Sequence, residues 1–169
     1  MILKRIEDEV RSWDLPTFIK NTLLFLFALI ISTTIHELSH VLAGLALGCK
    51  AGIQEIYWVA GASGLDCDSL PNPELAYIIT AMAGPIGSFL AGLYFFFSEG
   101  KEEIERGELS SFRMFAIILF FLSGILQAFP IIPYTDFWQA INFGLNPIIA
   151  WFIFLLMAGI FANVIISES

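Results

Sequence analysis

Four apolar runs, at residues 17–47, 75–97, 112–129 and 147–166, constrain this chain more than any other feature. A helix needs about 20 mostly apolar residues to cross the roughly 30 Å of bilayer hydrocarbon, and each run approaches or exceeds that length. Lipid offers no partner to a backbone amide, so such runs are satisfied locally as helices. Composition agrees: 57% of the residues are hydrophobic and 14% are charged, against about 25% charged in an ordinary soluble domain. The sequence therefore predicts an all-α membrane protein with about four transmembrane helices. The first run is longer than a bilayer, so its ends should leave the hydrocarbon or the helix should tilt.

Two connections do not read as plain loops. Residues 50–70, KAGIQEIYWVAGASGLDCDSL, hold a β-prone run at 53–59 followed by Gly61 and Gly64. They predict a short membrane-associated strand or hairpin beside the first span. Irregular backbone survives at that depth only where protein or water satisfies its amides. Residues 127–144, QAFPIIPYTDFWQAINFG, carry Pro130 and Pro133. These should end the third helix and leave an extended apolar segment around one carboxylate, Asp136. The remaining connection, SEGKEEIERGELSS, is a solvated charged segment.

Residues 1–16 form a separate arm. Ile2, Ile6, Val10 and Trp13 recur at helical spacing opposite the charges, which fits an interfacial amphipathic helix ending at Pro16, a soluble charged arm being the alternative. The arm lacks the apolar run and cleavage site of a secretory signal. Residues 17–169 are expected to form one integral-membrane domain. Cys49 and Cys67, the two cysteines, have neither CxxC spacing nor further cysteines to make a metal cage. Two ordinary thiols are expected, with a disulfide between them as the less favoured alternative.

The net charge of −8 contains no basic stripe suited to nucleic acid. The basic residues have a sided distribution. Lys4, Arg5, Arg11 and Lys20 precede or open the first span, and Lys101 and Arg106 lie between the second and third, with Arg113 at the edge of that connection. The first connection has Lys50 alone and the third has none. The positive-inside rule then puts both termini in the cytoplasm.

Within the first apolar run stands ISTTIHELSHVLAGLALG, residues 31–48, with both histidines of the chain and a glutamate between them. Residues four apart share a helix face, so His36 and His40 can aim their imidazoles at one point. Zinc takes such nitrogens at about 2.0–2.1 Å, and catalytic sites use three protein ligands plus water. Glu37 is beside the metal but poorly placed to bind it. That position suits a general base taking a proton from zinc-bound water, as in HExxH metalloproteases. Helix–helix hydrogen bonding would not need this arrangement, and ionisable groups in a span are expensive.

A third ligand must come from elsewhere. Asp136 is the only acidic residue between Glu108 and Glu168. With four spans, residues 50–70 and 130–146 emerge on one face, the face nearer His36 and His40. Asp136 is therefore the geometric choice, its competing role being a helix cap or turn former. Asp66 and Asp68 fall in a glycine-rich loop, while Glu102 and Glu103 lie on the opposite side. Ser32, Thr33 and Thr34 are candidates for bonding backbone or the groups around a metal. Gly44, Gly84, Gly87 and Gly92 offer surfaces for close helix approach.

Three pieces in this order, HELSH in one span, AGPIGS (83–88) in the next and FPIIPYTD (129–136) after the following one, resemble the site-2 protease family of intramembrane zinc metalloproteases. The resemblance covers roughly residues 20–145. It implies a zinc-dependent endopeptidase of the cell membrane, with zinc on His36, His40 and Asp136 and Glu37 as the base. It implies single-span membrane proteins as substrates. The strand-like segment, with Ile53, Ile56 and Tyr57, would hold an unwound stretch of substrate edge to edge. The chain departs from the family pattern at three residues and in a slightly long spacing from Pro133 to Asp136. Ser88 stands where the family usually has Asn, Gln127 is the nearest polar residue to another usual Asn, and Phe137 replaces a usual Gly. The resemblance also implies an active site nearer the cytoplasm, opposite to the charge count.

Two other readings compete. A non-catalytic relative would bind zinc and partner helices without cleavage, which the altered positions would suit. A zinc transporter would need metal-binding side chains on a neighbouring helix, and the second and third spans hold no further histidine and no acid. An HExxH protease with Glu102 or Glu103 as third ligand is a closer variant of the preferred reading.

Overall fold

A computed structural model describes residues 14–56, 61–100 and 111–166. The N-terminal arm therefore lies outside the described residues, apart from its last three positions. The first helix, α1 (Leu15–Leu47), begins where Asp14 accepts a 3.0 Å hydrogen bond from the Thr17 amide and Pro16 occupies the first turn. A side-chain acceptor there satisfies one of the orphan amides of a helix start, and proline loses nothing by lacking its own. The helix ends at Gly48, whose φ of 91° is left-handed. Glycine adopts that conformation without penalty, and the chain reverses there.

The reversal launches an antiparallel hairpin, β1 (Lys50–Ile56) and β2 (Gly61–Asp66), with Lys50 opposite Asp66 and Ile56 opposite Gly61. It runs back along α1. A Cβ at Gly44 would press on Leu65 and Ala51, and one at Gly61 would overlap the Glu37 side chain. Gly44 and Glu37 are seven residues apart, about 10 Å along the helix. The hairpin thus descends from the end of α1 toward the middle of the bundle, as the β-prone run and glycines predicted.

The expectation of two free thiols is overturned: Cys49 and Cys67 form a disulfide, with Cα atoms 4.5 Å apart. The cause is the register. Pairing Lys50 with Asp66 brings the next residues outward, 49 and 67, face to face at the foot of the hairpin. Spacing alone does not reveal a strand register. Both cysteines are buried, with Ala76, Leu70 and Tyr77 packed around them.

The second helix, α2 (Pro73–Phe95), continues into a wider turn at Phe96–Gly100. It packs on α1 and on α3 (Ser111–Gln127), where Gly124 meets the Pro85 carbonyl and Phe89. A short helix, α4 (Asp136–Asn142), and a last long one, α5 (Pro147–Ile166), complete the chain. Phe89, Phe121, Phe137, Ala150 and Met157 make the apolar core between them. Leu15–Leu47, Pro73–Ser98 and Pro147–Val164 are long and apolar enough to cross a bilayer, and Phe112–Gln127 is apolar but shorter. The predicted architecture of about four membrane helices with a hairpin after the first is the one observed.

Between α3 and α4 the chain turns tightly rather than extending as the prolines suggested. Tyr134 takes a φ of 70°, uncommon for a residue with a side chain. Thr135 then caps α4, its Oγ1 accepting from the Trp138 amide at 3.4 Å and donating to the Phe129 and Ile132 carbonyls at 2.9 Å each.

Candidate metal centre

His36 and His40, one turn apart on α1, bring their Nε2 atoms to 3.2 Å from each other. Asp136 Oδ2 lies 2.9 Å from the first nitrogen and 3.6 Å from the second. Three ligand atoms at about 2.0–2.1 Å from a tetrahedral zinc would be roughly 3.3 Å apart. The observed triangle brackets that spacing.

Each imidazole is fixed from behind. His40 Nδ1 donates to the Thr80 carbonyl at 2.6 Å. A carbonyl only accepts, so that proton is on Nδ1, and Nε2 is left as the atom that a neutral ring would offer to a metal. His36 Nδ1 faces Ser88 Oγ at 3.1 Å. Asp136 Oδ2 is buried and, the two rings aside, has no hydrogen-bond partner among the described residues. Two ring nitrogens and a carboxylate oxygen thus converge in a buried place. One proton can join only two of these atoms. A divalent cation joins all three, and neutral imidazoles with a carboxylate are a donor set suited to zinc.

The helix facing α1 is cut to fit the rings. Thr80, Gly84 and Ser88 recur every four residues on one face of α2, and Thr80 and Ser88 are fully buried. Ser88 meets His36, Thr80 meets His40, and Gly84 lies beneath both rings. A Cβ at Gly84 would overlap His40 Nε2 and come within 2.8 Å of His36 Nε2. Of that stripe, Gly84 and Ser88 are legible in the sequence as a small surface and a polar group. Thr80 gives no such signal, because it acts through its main-chain oxygen.

Glu37 is buried and points to the same place, with a carboxylate oxygen within 4.8 Å of the histidine nitrogens. Two carboxylates therefore compete for the ligand role. Asp136 is the better placed, since its oxygen is in direct contact with both rings. Capping does not occupy it either, because Thr135 fills that role. Phe137, the residue that departs from the expected glycine, is fully buried in the core and anchors the start of α4.

Beside the ligands is a cavity of about 350 Å³. Glu37 and His40 line it from α1, Gly61, Ala62, Ser63 and Leu65 from β2, Tyr77, Thr80 and Ala81 from α2, and Asp136, Gln139 and Phe143 from the α4 side. The strand on the cavity is therefore β2. Ile53 is exposed on β1 and lines a separate surface depression. Ile56 pairs through its backbone with Gly61, and Tyr57 lies outside the described residues. Gln127 is half-buried at the end of α3 and is not part of the lining; Gln139, one turn after Asp136, is. Among the supporting hydroxyls, Thr34 donates back to the Ile30 carbonyl at 2.8 Å. Ser32 Oγ is buried without a hydrogen-bond partner among the described residues.

At the cavity mouth, Tyr77 stacks on Phe143 with ring centroids 4.9 Å apart. Its hydroxyl accepts from the Cys67 amide at 3.2 Å and donates to Asp68 at 3.0 Å. The foot of the hairpin, the start of α2 and the end of α4 are joined at this one side chain.

A family profile described as Peptidase M50B-like matches residues 17–141. No curated protein and no solved structure matches the chain.

Proposed function

The chain belongs to the Peptidase M50B-like family, and from that premise we propose that it is a zinc-dependent endopeptidase that hydrolyses peptide bonds in or near the transmembrane segments of other membrane proteins. The observation that carries the reading is the meeting of His36 Nε2, His40 Nε2 and Asp136 Oδ2 around one buried point. These three residues would hold the metal. Bound there, zinc would supply Lewis acidity, polarising a carbonyl and making water a better nucleophile at neutral pH.

The chain's own residues do the rest. Glu37 accepts the proton that water loses and returns one to the leaving amine. Gly61, lacking a side chain, lets β2 lie directly against Glu37 and limits where its carboxylate can go. Thr80 and Ser88 set the rotation of the two rings, so their inner lone pairs are directed before anything binds. A peptide bond in a helix is shielded by its own hydrogen bonds, so a substrate span must unwind to be cut. The cavity is bounded by strand β2, which gives an unwound stretch somewhere to lie.

Zinc content and cleavage of a panel of single-span proteins, measured on purified protein in lipid, test this. Wild type should bind about one zinc and cut; Glu37→Gln should keep the metal and lose about 10²–10⁴-fold in kcat/KM. Zinc-loaded wild type that cuts none of the panel, or Glu37→Gln that cuts as well as wild type, would overturn it.

A further inference from the structure

We propose that the cleft opens toward the oxidising, non-cytoplasmic side of the membrane. Its substrate segments are then the external ends of membrane helices. Two independent observations carry the orientation.

The first is chemical. The Cys49–Cys67 disulfide is at the foot of the hairpin, at the end where α1 stops and α2 begins. Disulfides persist in oxidising compartments, whereas the cytosol keeps thiols reduced. The second is electrostatic. Seven of the eight basic residues fall toward the other end in sequence: Lys4, Arg5 and Arg11 precede α1, Lys20 is near its start, Lys101 and Arg106 lie between α2 and α3, and Arg113 is in the first turn of α3. Lys50 alone is on the hairpin side, and residues 128–146 contain no basic residue. A membrane helix bundle retains its basic ends in the cytoplasm. Neither observation uses the other, and both put the hairpin outside, opposite to the side that the family resemblance implies for the active site.

The depth of the site follows from α1. His36 is eleven residues from Leu47 and 21 from Leu15, about 17 Å and 32 Å along the axis. The metal centre is therefore nearer the hairpin face. The cavity extends further that way, since Tyr77 is four residues from the start of α2 and its partner Phe143 follows α4.

The orientation rests on the fold alone, and the substrate consequence rests on the endopeptidase reading. Reporter cysteines separate the two. Asn142→Cys, exposed beside the mouth, and Lys4→Cys in the N-terminal arm are treated with a membrane-impermeant maleimide in intact cells and again after permeabilisation. Glu74→Cys, exposed at the start of α2, is a second reporter for the mouth side.

Asn142→Cys and Glu74→Cys should react in intact cells at least about tenfold faster than Lys4→Cys, which should react once the membrane is opened. The native pair should react only after reduction. Mouth-side reporters that react only after permeabilisation, reporters that react equally, or native cysteines that react without reductant each overturn the orientation. None of these readouts needs catalysis. Cleavage mapped by mass spectrometry to the cytoplasmic half of a substrate span would overturn the substrate consequence and leave the orientation standing.

Discussion

His36 and His40 stand on one helix of 33 residues, whereas Asp136 opens a helix of seven behind a tight turn. The two halves of the same centre are held by different physics. On α1 the spacing of the rings is a property of the helix, and α2 sets only the rotation of each ring. On α4 nothing local fixes the carboxylate. It depends on the cap at Thr135, the left-handed Tyr134 and the burial of Phe137. The histidine half should therefore resist everything except a change in the helix that faces it. The aspartate half should give way to changes several residues from the ligand.

The largest effect should come from the histidine side, at a residue that is not a ligand. Gly84→Ala puts a methyl where His40 Nε2 lies and close to His36 Nε2. Zinc content should fall from about one per chain to background, with cleavage lost. The helical signal in circular dichroism should remain, because overpacking costs roughly 1–3 kcal/mol rather than the fold. Normal zinc content in this variant would mean the rings have room to spare, and the contrast between the two halves would weaken.

On the aspartate side, Asp136→Asn removes charge without changing shape, and Phe137→Ala removes the anchor without touching the ligand. Truncating a buried phenylalanine costs about 3–5 kcal/mol. The part felt by Asp136 should raise the zinc Kd about 10–100-fold, as for other groups that orient a ligand. Titration with a zinc-sensitive dye should give both variants a residual weak site from the histidine pair. If Phe137→Ala binds zinc like wild type, Asp136 is held more locally than its surroundings suggest.

The same contrast explains what was legible in the sequence. The membrane helices came from run length, and the pairing of His36 with His40 came from helical periodicity; both are local. Asp136 was reached by elimination among few acids and by which loops share a face. What escaped needed a partner to be seen. The Cys49–Cys67 bond required the hairpin register, Thr80 contributes a carbonyl that every residue possesses, and Gln139 reaches the cavity only because α4 begins at Asp136. The preference for Ile53 over β2 had a similar origin. Apolar β-branched residues signal a strand, yet the strand against the site is the one whose small residues let it approach Glu37.

A milder change on the histidine side is Ser88→Ala. It deletes the hydroxyl 3.1 Å from His36 Nδ1 and leaves the ring packed. The zinc Kd should rise about tenfold, the lower end for lost support of a metal-binding histidine, with no change in thermal stability large enough to account for it. A loss as severe as that of Asp136→Asn would show that the helix does not orient His36 by itself.

The smallest effect should arise where the two halves meet, at Tyr77. Tyr77→Phe keeps the ring on Phe143 but removes the bonds to the Cys67 amide and Asp68. Water reaches this exposed edge, so each lost bond should cost about the 0.5–1.5 kcal/mol of an ordinary hydrogen bond at most. Neither bond touches a ligand, which leaves zinc content and kcat with no reason to change. The foot of the hairpin shifts against α2, and β2 with it. KM for a membrane substrate should therefore rise about two- to fivefold. Tyr77→Ala also forfeits the stacking, worth about 0.5–1.5 kcal/mol more; because Phe143 follows the helix of Asp136, that variant should begin to lower zinc affinity too. A fall in kcat for Tyr77→Phe, with KM unchanged, would mean that the mouth and the metal centre move as one body and that the aspartate half is no looser than the histidine half.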